Sequence, residues 1–245
     1  MELTPTRPRG LAIFDIDGTL TETNALDSSC YARAIQETLG IDGISTEWGS
    51  YEHSTDTGIL AEVVATRLSR TVTGRDIRMV RARFIQMIDR AAAAPGGVEE
   101  VAGAGRMIDH LVAVGWRVAV ATGGWRPSAQ AKLQAAGLRV DAGLLATADD
   151  AIARTDISRW AIRRAVGRAI DLDAGPTTIP CVYVGDGRWD VEAARESGCG
   201  FVGIGAGVRA ARMREAGASE VLENFQDLTR FAAAITDAAI AECAQ

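Results

Sequence analysis

The run Leu11-Ala12-Ile13-Phe14-Asp15-Ile16-Asp17-Gly18-Thr19-Leu20 constrains this chain more than any other stretch. An apolar segment leads into two carboxylates spaced two apart, and Gly-Thr follows. The apolar segment fits a strand buried on both faces, as in a parallel sheet, although a buried helix gives the same periodicity over so short a window. Gly18 breaks the chain at the strand's carboxyl end, where open α/β sheets place their chemistry. Asp15 and Asp17 at that end put two negative charges in one small space. Burying both is costly unless a cation neutralises them or one carboxyl keeps its proton. Oxygen ligands with room for water suit Mg²⁺. A lone D-x-D is common in solvated turns. Its place between an apolar strand and Gly-Thr-Leu is what gives it weight.

Beyond Thr19 the pattern becomes helical. Asn24 to Leu39 carries Leu26, Tyr31, Ala34, Ile35 and Leu39 at helical intervals, and Gly40 stops the run. Thr57 to Leu68 and Asp76 to Ala94 read as two more helices, the second with Ile77, Val80, Phe84, Met87 and Ile88 on one face. Pro95-Gly96-Gly97 closes this block. From Val98 the chain alternates. Helices are expected over Val98 to Gly115, Arg126 to Ala136, Asp156 to Ile170, Trp189 to Ser197, Val208 to Ala216 and Phe225 to Ala241. Strands are expected over Trp116 to Ala121, Leu144 to Ala146, Ile179 to Val184, Gly200 to Ile204 and Glu220 to Leu222. Alternation of this kind implies an α/β fold with a Rossmann-like parallel sheet. Residues 1–20 and 96–245 would form the core, and 21–95 an inserted α-helical domain.

Composition narrows the function classes. The 245 residues carry a net charge of −6, which argues against a general nucleic-acid binder. Arg78, Arg81 and Arg83, and Arg163, Arg164 and Arg168, cluster at spacings that suit solvated helix faces. No stretch reaches the roughly 18 apolar residues of a membrane span, and no signal-peptide core is visible, so a cytoplasmic location is the default. Met1 to Arg9 reads as a flexible lead-in. Cys30, Cys181, Cys199 and Cys243 are scattered without a C-x-x-C pair and suit reduced thiols better than a disulfide framework or zinc site.

Two further strand ends carry candidate chemistry. Val118-Ala119-Val120-Ala121 leads into Thr122-Gly123-Gly124, which offers hydroxyl and backbone N–H donors to an anion, as an ordinary strand-to-helix turn also would. Val182-Tyr183-Val184 leads into Gly185-Asp186-Gly187-Arg188-Trp189-Asp190, a second acidic pair, although Asp190 could equally cap the following helix. Gly203-x-Gly205-x-Gly207 lacks the spacing and context of a dinucleotide loop.

Taken in order, these segments resemble the haloacid dehalogenase-like (HAD) hydrolases. D-x-D-G-T-L matches the family's first motif, the strand ending in Thr122 its second, and G-D-x-x-x-D its fourth. The third, a single Lys or Arg, falls best on Arg154, with Arg159 as the fallback; Lys132, the chain's one lysine, lies where a family lysine is not expected. The resemblance covers about two thirds of the chain and reaches only loosely into the insert, which is placed like the helical cap of the phosphatase and phosphoglucomutase-like branch.

What the resemblance implies is a Mg²⁺-dependent phosphatase of a small phosphorylated metabolite. Asp15 would be the nucleophile and Asp17 the acid and base. Asp15, the Asp17 carbonyl oxygen and Asp186 would hold the metal, and Asp190 would either bind it less directly or orient the basic residue. Thr122, Gly123 and Arg154 would bind the transferring group. Asp17 separates the chain from dehalogenases, which lack that acid, and the lysine-free insert argues against phosphonate hydrolysis. A phosphosugar mutase shares all four motifs. A non-catalytic phospho-Asp switch is the reading from another class, and neither the insert nor Asp17 would be needed for it. In the insert, Trp48 and, in an expected loop from Gly49 to Gly58, Tyr51, His53, Thr55 and Asp56 form a polar-aromatic cluster, either closing over substrate or packing on their own helices.

Overall fold

The computed structural model describes residues 8–167 and 179–243. Most of the expected lead-in, and the expected end of the helix running to Ile170, lie outside the described residues. The described residues form a six-stranded sheet in the order β3-β2-β1-β4-β5-β6, with every neighbouring pair parallel. The strands are β1 Gly10–Phe14, β2 Trp116–Ala121, β3 Leu145–Ala146, β4 Cys181–Gly185, β5 Gly200–Ile204 and β6 Val221–Leu222.

Every residue of β1 is buried, as a central parallel strand requires. Alternation then sorts its side chains. Ala12 and Phe14 join Val118, Val120, Val182 and Val184 on one face. Leu11 and Ile13 join Ala119, Ala121 and Tyr183 on the other. Helices α4 (Ala104–Ala113), α5 (Arg126–Ala135) and α9 (Leu228–Cys243) cover the first face. Helices α6 (Arg154–Val166) and α7 (Arg188–Glu196) cover the second, and α8 (Gly207–Glu215) packs beside β5 and β6. Strand order reverses between β1 and β4, so a crevice opens at their carboxyl ends.

Helices α1 (Asn24–Leu39), α2 (Asp56–Leu68) and α3 (Gly74–Ala92) follow β1 and form the inserted block. They share an apolar cluster built on Tyr31, Ile35, Leu60, Val64, Val80, Phe84 and Ile88, and Trp125 of the sheet unit plugs into it. Thr55 caps α2, and Thr73 with Asp76 makes a capping box on α3, which places both starts slightly earlier than periodicity alone suggests.

One helix is much shorter than expected. Residues 98–103 do not join α4, because their backbone is already engaged: Val101 N–H donates to the Leu20 carbonyl at 3.0 Å, and Glu22 N–H to that of Glu99 at 2.9 Å. These bonds tie together the two segments by which the chain leaves and re-enters the sheet unit. Gly103, at φ +89°, then sets the N-terminus of α4. No described helix is long and apolar enough to cross a membrane.

The turn after β1 depends on Gly18. Its φ is +78°, and a Cβ there would overlap both the Asn24 amide and the Asp186 carboxylate. Gly18→Ala is expected to lower unfolding free energy by about 1–3 kcal/mol, measured by urea titration.

Candidate active site

The strand ends converge as the sheet topology dictates. Asp15 follows β1 and is held by its own N–H on the Val184 carbonyl at 2.9 Å; Thr122 follows β2 and donates its N–H to Ala146 at 3.1 Å. Asp186 follows β4, and Asp190 lies in the first turn of α7. Asp15, Asp186 and Asp190 are all buried, and one carboxylate oxygen from each lies within 4.8 Å of the others. Two of these residues keep an oxygen without a hydrogen bond: Oδ1 of Asp186 and Oδ1 of Asp190. Buried carboxylate oxygens rarely stay unpaired. A hard divalent cation is the partner that such a donor set fits.

The other oxygens are committed. Asp186 Oδ2 accepts from Asn24 at 2.7 Å and Arg209 at 3.0 Å. Asp190 Oδ2 accepts the Gly187 N–H at 3.1 Å, so this residue caps α7 while its second oxygen faces Arg154. Arg154, the first residue of α6, places Nη1 3.1 Å from Asp15 Oδ1 and Nη2 3.2 Å from Asp190 Oδ1, the latter without hydrogen-bond alignment. Arg159 is elsewhere, paired with Asp156 in solvent.

Asp17 faces differently. Its carboxylate lies outside the three-residue acidic group. It accepts from Thr23 at 2.5 Å and from Lys132 Nζ at 2.7 and 2.9 Å. Lys132 also bonds Asp27 of α1. Sequence reasoning passed over both Lys132 and Asp27. The signal available was that Lys132 falls on the same stripe of α5 as Ser128, Ala129 and Leu133, all buried.

The insert closes one side. A cavity of about 50 Å³ is lined by Asp15, Asp17, Thr122, Gly123 and Arg154 from the sheet unit and by Asp27, Tyr31, Trp48, Thr55 and Asp56 from the insert. Gly123 permits this approach, since a Cβ there would sit 2.5 Å from the Ser54 carbonyl. Asp56 donates its N–H to the Gly123 carbonyl and accepts the Trp125 N–H, both at 2.8 Å. Thr55 donates to Ile152 at 2.8 Å. His53 and Tyr51 do not line the cavity; the His53 carbonyl takes the Thr55 N–H, and the Tyr51 hydroxyl donates to Ser45. Arg81, read as part of a solvated face, makes a two-point pair with Asp149 across the same junction.

The profile model of the haloacid dehalogenase-like hydrolases matches residues 10–198. The chain belongs to this family. Solved structures share its fold. A hydrolase from Pseudomonas syringae is 20% identical with a TM-score of 0.70, over 91% of this chain and 98% of that one. A putative beta-phosphoglucomutase from Bacteroides vulgatus is 14% identical with a TM-score of 0.71, over 94% and 90%. CbbY from Rhodobacter sphaeroides, solved with phosphate, is 22% identical with a TM-score of 0.63, over 91% and 97%. No curated protein matches the sequence.

Charge crowding sets the electrostatics of this HAD member. Burial, then the charge of Asp15, pushes Asp186 up to about 7 against the pull of Asn24 and Arg209. Burial and Asp17 push Asp27 up to about 6 against Lys132. Asp15, Asp56 and Asp190 are raised as well, each chiefly by burial. Burial opposes the charge on Lys132, but Asp17 and Asp27 more than restore it. A carboxyl whose native pKa exceeds its ordinary 3.8 holds a proton that the unfolded chain has released. Its stabilising contribution is therefore present below about pH 4 and is lost as pH rises through the native value. In chelator, unfolding free energy is expected to fall between about pH 4 and 8, by on the order of 1.4 kcal/mol per unit of elevation. Asp186→Asn is expected to flatten that slope in urea unfolding at a series of pH values.

Proposed function

We propose that this HAD hydrolase is a Mg²⁺-dependent phosphatase acting on a small phosphorylated metabolite, with residues 21–95 as a cap over the site. The observation that carries the reading is the burial of Asp15 between the Arg154 guanidinium and the Asp186–Asp190 oxygens, open to the cavity beneath the insert. Asp15 attacks phosphorus and forms an aspartyl phosphate as the ester oxygen leaves. Asp17 gives that oxygen a proton, then takes one from the water that hydrolyses the intermediate. Arg154 and the Thr122 hydroxyl, with N–H groups of the glycine turn, meet charge on the equatorial oxygens. Arginine suits this place because it stays charged and offers two parallel donors.

Asp15, Asp186, Asp190 and the Asp17 backbone carbonyl would hold the metal. When bound, Mg²⁺ would neutralise charge on the nucleophile and the transferring group. The acidic crowding supports a requirement for it, because Arg154, Lys132 and Arg209 still leave Asp15, Asp17, Asp27, Asp186 and Asp190 in excess. A cavity of about 50 Å³ is far smaller than typical metabolite sites, so the cap must open to admit substrate and closes to exclude bulk water.

A panel of phosphate monoesters assayed with and without Mg²⁺ tests this reading. Phosphate release from one or a few esters is expected, abolished by chelator and restored by the metal. Asp15→Asn is expected to lower turnover at least about 10³-fold with the fold intact. Steady release by that variant would remove Asp15 as nucleophile. Sugar-phosphate isomerisation without release would make the protein a mutase.

A further inference from the structure

Lys132 is fully buried, and it is the only lysine in the chain. Its ammonium spends its bonds on carboxylates alone, reaching both oxygens of Asp17 and one of Asp27. The Phe84 ring of α3 lies 5.9 Å from Nζ and screens it from solvent. Three segments therefore meet at one atom: the turn after β1, the α5 helix that follows Thr122, and the inserted helices.

Fold stability does not account for this arrangement. A buried ion pair is often no more stabilising than apolar residues of similar volume, and the rest of the inward stripe of α5 is small or apolar. What a lysine adds is direction. The backbone of Asp17 is fixed by its bridge to Thr21 at the start of the turn after β1, but its carboxylate has one other side-chain partner, the Thr23 hydroxyl. Bonding both oxygens fixes the plane of the carboxylate where it borders the cavity.

We infer that Lys132 is a positioning residue for phosphoryl transfer: it holds the Asp17 carboxylate at the leaving-group side of the cavity, and Asp27 of the cap shares and anchors the ammonium. The inference rests on the phosphatase reading, because it assigns Lys132 to act through Asp17 and not on the phosphoryl group. Proton donation matters for an alkoxide leaving group and hardly at all for a stabilised phenolate. Loss of Asp17 positioning is therefore selective by leaving group, whereas general damage to the site is not.

The test compares kcat/KM for glycerol phosphate and para-nitrophenyl phosphate, each with Mg²⁺, because this parameter reports the step that forms the intermediate. In Lys132→Met the value for glycerol phosphate is expected to fall about 10²-fold or more while that for para-nitrophenyl phosphate stays within a few-fold. Asp17→Asn should show the same selectivity. Should Lys132→Met fail to fold with two facing carboxylates, Lys132→Met combined with Asp27→Asn removes one of them and is read the same way. Equal losses on both esters, or no loss on either, would overturn the inference while leaving the phosphatase reading in place. A wild type that releases phosphate from neither these nor any other monoester would overturn both.

Discussion

Too many carboxylates for the available cations gather at the carboxyl ends of β1 and β4, and much else in the molecule answers to that crowding. Asp15, Asp186 and Asp190 share one small volume, and Asp17 and Asp27 share another beside it. Arg154 reaches into the first group and Lys132 into the second. Burial drives Asp15, Asp27, Asp186 and Asp190 to keep their protons, and that drive is opposed by Arg154 at Asp15 and Asp190, by Lys132 at Asp27 and by Arg209 at Asp186. Two buried oxygens still lack any hydrogen bond. Under the proposed function, a bound divalent cation would supply the missing positive charge.

The sheet makes this gathering possible. Buried β1 fixes Asp15 in register with β4 through the bond from Asp15 N–H to Val184, and the reversal of strand order leaves the crevice in which their following turns meet. The inserted helices then complete what the sheet begins. Trp125 enters their apolar cluster, the Asp56 carboxylate receives its N–H, and Gly123 lets the Ser54 backbone lie against the turn. The same short segment after β2 thus lines the cavity and docks the insert, which couples insert position to site geometry.

The sheet, its helices and the strand-end residues were legible because they rest on local signals: continuous apolar runs, breaks at glycine, and acids placed directly after strands. Arg154 was legible only through the family resemblance, which calls for one Lys or Arg between the second and fourth motifs. The late start of α4 was not, since only the pairing of residues 20–22 with 99–101 removes those residues from the helix, and that pairing joins segments separated by the whole insert. Lys132 and Asp27 were missed for the same reason. Each sits in an ordinary helical pattern, and their meaning appears only when α1 and α5 meet over Asp17. His53 shows the converse. Its loop was open to two readings, closing over substrate or packing on its own helices, and His53 does not line the cavity whereas Thr55 two residues on does.

The claim on which this account stands is that phosphoryl transfer passes through Asp15, and the stereochemical course at phosphorus tests it most directly. A phosphate monoester made chiral with oxygen isotopes would be transferred to water or to an acceptor alcohol and the product's configuration read. Two in-line displacements, one onto Asp15 and one off it, predict retention. Inversion would mean a single displacement by water and would contradict the account.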